Sequence, residues 1–375
     1  MSTLRQSIGQ VHGMKSSPGP IISISTVTVR RAAQAGFSLI ELMVALTIAV
    51  LLLLGLALLF NNTSTARGEL DKASRQIESG RYAMQEISDD VRHASYYGAL
   101  NRAPTLGAVT LPDPCSTTLA DVQASIGLPL QGYAGAATAA LLDPGKLGCL
   151  NAAAGYKPDT AVLVVRRADT SIAATAPTAG WFNIQISGCA GDPVPYVLDV
   201  DTNPGAFTLH TNTTPGCTPI TGAPAARITP LYTRIYFIST CSGTDCSATG
   251  ADSVPTLKRI DVKPTGTPIT AIVDGIENLQ FDYGIDTTAA PGDGTPDVYT
   301  NTTDHTANAP SDLTEWQNVM SVRIYLLARN LEATAGYTDP KTYPLGPVSV
   351  PAGGAYKRHA YNQLVRLNNP AGRRE

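Results

Sequence analysis

The run FSLIELMVALTIAVLLLLGLALLF, residues 37–60, decides more than any other stretch what this chain can become. An α-helix rises about 1.5 Å per residue and the hydrocarbon core of a bilayer is about 30 Å thick, so roughly 20 apolar residues span it. The run is long enough, and its single charged residue is Glu41. A carboxylate in lipid costs on the order of 2.5–3.5 kcal/mol, so a passive anchor would gain by losing it. Two roles fit. One turn into the run, Glu41 complements the positive end of the helix dipole; alternatively, it serves a partner beyond its own helix.

Arg30, Arg31 and the small residues Ala32, Ala33, Ala35 and Gly36 precede the apolar run, whereas an ordinary secretory cleavage site follows one. The stretch GFSLIELMVAL resembles the type IV prepilin signature: glycine, then Phe-[Ser/Thr]-Leu-[Ile/Leu]-Glu, then a long apolar helix. The resemblance implies that a membrane-embedded prepilin peptidase cuts between Gly36 and Phe37 on the cytoplasmic side and methylates the new Phe37 amine. Glu41 becomes the fifth residue of the mature chain, with a role in assembly. As helices leave lipid for a filament core of low polarity, its carboxylate pairs with the Phe37 ammonium of a neighbouring subunit, because a buried charge is tolerated only when paired. The amine of the same chain lies at i, i+4 and competes.

Residues 1–36 contain Arg5, Lys15, Arg30 and Arg31 and no acid, which predicts a cytoplasmic N-terminus. The expected arrangement is a removable leader over 1–36, a single inner-membrane pass over 37–60 and an exported, periplasmic head later carried on the pilus surface. Losing the leader takes the formal charge from −3 to −7. Met14 offers an alternative in-frame start.

From Asn61 to Tyr97 there is no proline. Leu70, Ala73, Ile77, Gly80, Met84, Ile87, Val91 and Ala94 recur in steps of three and four, the stripe of an amphipathic helix packed on a sheet. Glu69, Lys72, Arg75, Glu78 and Asp89 mark its wet side, and the pair Asp89-Asp90 is expected to be exposed. Gly55 and Asn61–Ser64 are the expected places for bending.

The rest, 98–375, is rich in glycine and proline, which argues for short strands and many loops; the chain has 33 Gly and 27 Pro in all. MSVRIYLLAR alternates Met320, Val322, Ile324, Leu326 and Ala328 against Ser321, Arg323, Tyr325 and Arg329. LQFDYGI, LYTRIYFIS, AVLVVRR, LKRIDV and YNQLVRL are further candidate strands. Helical patterns do not alternate with them, so antiparallel pairing follows. The fold class is therefore α+β: a long N-terminal helix on a large antiparallel β-rich head, with two lobes, 98–225 and 226–375, as an option.

Six cysteines, Cys115, Cys149, Cys189, Cys217, Cys241 and Cys246, all lie beyond the apolar run. An even number on an exported head predicts disulfides. Of fifteen connectivities we expect sequence neighbours: Cys115–Cys149, Cys189–Cys217 and Cys241–Cys246. Each contributes on the order of 2–4 kcal/mol. Zinc is disfavoured, because CSGTDC has no matching second pair. The loop DTTAAPGDGTPD offers Asp286, Asp293 and Asp297 as a candidate calcium site, but it lacks the ordered acid spacing of a calcium loop, and a solvated turn is the favoured reading.

Nothing points to catalysis. No G-x-S-x-G elbow, phosphate loop or H-E-x-x-H occurs, and the five histidines are scattered. We expect no cofactor. A negative mature charge disfavours nucleic acid, and Arg358, Arg366, Arg373 and Arg374 are expected to be charged surface and tail.

GIENLQFDYGID, VRIYLLARN and YKRHAYNQLVRLNNPAGRRE resemble the large minor pilins of the PilW type. That resemblance implies a non-enzymatic, low-abundance subunit that helps prime pilus assembly at or near the fibre tip, supporting twitching motility and adhesion. Its implied partners are prepilin peptidase, other minor pilins, the major pilin and the inner-membrane assembly platform. The alternatives are a minor pseudopilin of a type II secretion system and a fibre-displayed adhesive head.

Overall fold

A computed structural model describes residues 36–100, 104, 111–142, 145–171, 174–211, 223–289, 292–301, 313–346 and 348–374. The chain divides into two units, residues 1–62 and 63–375. In the first, every described residue is exposed and helical from Leu39 onward. Helix α1 is assigned over Leu39–Arg92, and Gly55, one of the places where bending was expected, keeps its helical assignment. One glycine costs about 1 kcal/mol relative to alanine, too little to break a helix flanked by leucines.

The second unit holds the β-rich head. Helix α2 (Leu119–Ser125), β1 (Leu130–Tyr133) and α3 (Ala139–Leu142) precede β2 (Val162–Ala168), β3 (Phe182–Ile186) and β4 (Tyr196–Val200). Then come β5 (Ile228–Ser239), β6 (Thr256–Asp261), β7 (Ile269–Asp274), β8 (Ile276–Ile285) and β9 (Val298–Thr300). Helix α4 (Leu313–Gln317), β10 (Val319–Arg329), β11 (Thr342–Leu345), β12 (Val348–Pro351), β13 (Arg358–Arg366) and α5 (Asn368–Gly372) complete it. The first sheet runs β1-β2-β5-β3-β4, with β6 and β7 continuing from β5; the second runs β13-β10-β8-β9; β11 and β12 form a hairpin. All these pairings are antiparallel.

The six strands expected from alternation are β2, β5, β6, β8, β10 and β13. Strand β5 has one edge on β2, while the other is shared by β3, against Ile228–Leu231, and β6, against Arg234–Ser239. The first sheet thus joins strands from both sides of residue 225, so the chain does not split into lobes there. In β10, Val322, Ile324, Leu326 and Ala328 are fully buried, as their alternation requires. Leu327 on the opposite face is buried too, because Tyr343 and Leu345 of the β11–β12 hairpin cover it.

Within the head, α1 buries Gln76, Gly80, Ala83, Met84, Ile87, Ser88, Asp90 and Val91. Leu70 and Ile77 are exposed, contrary to the expected stripe. The buried position at that level belongs to Gln76, whose Nε2 donates to Ala328 O at 2.8 Å and Lys357 O at 3.0 Å, capping the ends of β10 and β13. The helix stops at Arg92 rather than Tyr97, because the chain turns through Ser95 (φ 58°) to bond β2: Ser95 N donates to Arg166 O and Ala168 N to Tyr96 O.

Candidate functional site

The first unit carries the chemistry the sequence singled out. Gly36 and Phe37 are exposed, and nothing lies within 4 Å of where a Gly36 Cβ would stand. From Phe37 to Phe60 every leucine, isoleucine, valine and phenylalanine side chain is exposed. So large an apolar surface requires a non-aqueous or protein surround. Length and composition suffice for a membrane crossing, and none of the span is buried within the chain.

Glu41 has a partner that the sequence reading missed. Ser38 N donates to Glu41 Oε2 at 2.9 Å, and Glu41 N donates to Ser38 Oγ at 3.3 Å. This is a capping box: two helix-start donors, otherwise unsatisfied, are answered reciprocally by side chains three residues apart. The S-x-x-E spacing was readable in FSLIE. It places the carboxylate one turn into the helix, held by a backbone N–H, with capacity left for a second donor such as an ammonium.

Residues 31–57 match the family model described as the prokaryotic N-terminal methylation motif, which covers Gly36, Phe37, Ser38 and Glu41. Residues 235–369 match the model of type IV pilus-assembly protein W. The two matches support a PilW-family type IV pilin-like protein. No curated protein and no solved structure matches the chain. The family matches support a type IV pilus-related minor pilin, a setting that implies prepilin processing and other pilus components. Its apolar helix and methylation motif mark it as membrane-anchored.

The matched 235–369 region contains the second sheet and the hairpin, and it holds α1 through polar as well as apolar contacts. Lys357 Nζ lies 2.7 Å from Glu69 Oε2, Thr334 Oγ1 donates to the same oxygen at 2.9 Å, and Ser88 Oγ donates to Gln363 Oε1 at 3.2 Å. Glu69, expected to face water, is therefore drawn into the head, and its carboxyl is lowered to about 2 by the hydrogen bonds from Lys357 and Lys72.

Asp90, expected to be exposed, is buried. Its Oδ1 accepts from Arg167 Nε at 2.7 Å and Arg234 Nη1 at 2.8 Å, and its Oδ2 from Tyr236 Oη at 2.5 Å. Burial pushes its carboxyl up, but the two guanidiniums and the phenol outweigh that and hold it below the usual carboxylate range. Arg234 also meets Asp261, and Asp261 meets Arg259, which reaches Glu86 of α1 at 2.7 Å. The stripe of three- and four-residue steps does not reveal such an acid, since its partners come from β2 and β5.

Cys115–Cys149 and Cys241–Cys246 are disulfides in the structure, each with Cα atoms 5.6 Å apart. The expected Cys189–Cys217 pair involves Cys217, which lies outside the described residues. The three candidate calcium ligands do not converge. Asp286 is buried and accepts from Asp293 N, Gly294 N and Arg374 Nη1 at 3.0–3.1 Å. Asp297 accepts from Thr287, and Asp293 from Thr295 N. No metal-ligating cluster occurs among the described residues.

The C-terminal arginines are not a free basic tail. Arg358 pairs with Glu277 and Asp339, Arg373 bonds Ser95, and Arg374 pairs with Asp286. They fasten the chain's end to the head.

Proposed function

We propose that this minor pilin primes type IV pilus assembly and is incorporated at or near the fibre tip, supporting twitching motility and adhesion. Prepilin peptidase cuts after Gly36 and methylates Phe37. In the inner membrane the N-terminus is cytoplasmic and the head periplasmic. As subunits dock with other minor pilins, the major pilin and the assembly platform, Glu41 accepts the Phe37 ammonium of a neighbour. The observation that carries this reading is Glu41 itself: the one charge in an exposed apolar helix, inside a matched methylation motif, with an oxygen left for a further donor. The disulfides Cys115–Cys149 and Cys241–Cys246 accord with an oxidising compartment. A head of 63–375 suits a cap, because bulk at a tip need not repeat in a helical lattice.

Mass spectrometry of sheared fibres tests it. The wild-type chain is expected to begin at N-methyl-Phe37, accompanied by other minor pilins. Glu41→Val is expected to be inserted and processed yet absent from fibres. Wild-type levels of that variant in fibres would remove Glu41 from the mechanism. A deletion that stops exoprotein secretion while sparing fibres and twitching would move the protein to a type II secretion system.

A further inference from the structure

A cavity of about 460 Å³ opens between β8, the loop ahead of β2 and strand β12. That volume falls within the range of small-molecule sites. Asn278 and Gln280 line it and are only 4% and 3% exposed. Gln280 Nε2 donates to Asp159 O and to Asn278 Oδ1, both at 2.9 Å. A backbone carbonyl only accepts, so these bonds fix the orientation of both amides. Gln280 Oε1 is left as an acceptor and Asn278 Nδ2 as a donor, and neither has a partner among the described residues. Neither atom is sealed in the protein, as Tyr283 Oη is. Water answers both atoms in the open cavity, so a ligand that displaces it must offer one donor and one acceptor in its place.

Lys157 and Asp159 also line the cavity, and neither side chain has a hydrogen bond or ion pair among the described residues. Burial holds the Lys157 ammonium below the usual lysine range, against the pull of Glu277 and Asp159. The wall that carries them is preformed. Tyr156 Oη donates to Thr160 O at 2.6 Å and accepts from Ala136 N at 3.2 Å. Asp159 sits at φ 59°, a strained conformation of the kind found at ligand clamps. Its carbonyl carbon presses on Gly135, where a Cβ would come within 2.5 Å.

We propose that this cavity binds a neutral, hydroxyl-rich carbohydrate of one or two sugar rings. A hydroxyl both donates and accepts, so adjacent hydroxyls answer Asn278 Nδ2 and Gln280 Oε1 together. Lys157 and Asp159 cancel in net charge, which disfavours a charged ligand, while each forms the stronger, charge-assisted bonds to hydroxyls. Pro158, Val350 and Pro351 supply an apolar side for the C–H face of a ring.

Saturation-transfer NMR on the full-length protein in nanodiscs tests this, using maltose, cellobiose, lactose and N,N′-diacetylchitobiose, with glucuronate as the charged control. At least one neutral disaccharide is expected to bind. Asn278→Leu is expected to abolish the signal, and Lys157→Met to weaken affinity about tenfold or more, the loss of one bond to a charged group. Lys157 sits at a half-exposed position, so its variant is expected to keep the wild-type Tm and carries the test even where Asn278→Leu fails to fold. Absence of binding by all four disaccharides, binding by glucuronate alone, or binding unchanged in Lys157→Met would overturn the proposal. The assay needs no pilus, so its failure would leave the assembly reading standing.

Discussion

Asp90 of the long helix grips Arg234 of β5 with both carboxylate oxygens, at 2.8 and 3.0 Å, in the interior of the head. The contact joins residues 144 apart in the chain. Arg167 and Tyr236 approach the same carboxylate, so a single acid ties the helix to two strands. Its removal leaves guanidiniums buried without their counter-charge.

Asp90→Asn is therefore expected to destabilise the head by about 3–5 kcal/mol, the usual cost of breaking a buried pair from one side. Its carboxyl is depressed in the folded state, so its contribution is fully present above the ordinary aspartate value of about 3.9. That contribution disappears as pH falls through the folded value. Urea melts between pH 7 and acid are expected to show a steeper loss for wild type than for Asp90→Asn at the acid end, and parallel slopes would refute the assignment.

Gly135→Ala is expected to cost about 1–3 kcal/mol. The added Cβ meets backbone, Asp159 C at 2.5 Å and Thr160 N at 2.8 Å, and no side chain can swing aside to admit it. Alanine at Gly148 is the control, since nothing lies within 4 Å there. Equal melting temperatures for the two variants would contradict the close approach.

The two disulfides among the described residues are expected to differ in worth. Cys115–Cys149 closes a sequence separation of 34, Cys241–Cys246 one of 5. Loop-closure entropy then gives about 4 kcal/mol for the first and about 2 kcal/mol for the second. Replacing each pair by alanines and comparing urea midpoints checks the order; a larger loss from the short loop would show that packing, not chain entropy, dominates.

Ser38→Ala is expected to open the capping box and weaken the helix start by about 1 kcal/mol. In nanodiscs, amide exchange at Leu39–Leu42 should then quicken about fivefold, and Ser38→Thr should retain most of the protection. Unchanged exchange in the alanine variant would mean that Glu41 holds the turn without Ser38.

Legibility followed the range of the interaction. Alternation exposed β2, β5, β6, β8, β10 and β13, because a half-buried strand writes its period into neighbouring residues. Strands β3 and β4 were missed although FNIQI alternates: each is only five residues long, and Asn183 and Gln185 are buried by bonds to loop backbone instead of facing water. Leu70 and Ile77 read as core and are exposed, whereas Asp90 read as surface and is buried. In each case the deciding neighbour is far away in sequence. Glu41 was legible because it violates its surroundings, and Ser38 was overlooked although its spacing is local. The cavity beside Asn278 left no trace at all, since its walls come from segments far apart in sequence.

Strand β5 pairs along one edge with β2, over Leu231–Tyr236, and divides the other between β3 and β6. A strand shared in this way cannot be peeled from one flank without orphaning hydrogen bonds on the other. Loss of the early strands and loss of the late ones are thus a single event, and a protease offered the head should find it either whole or entirely open, with few stable fragments between.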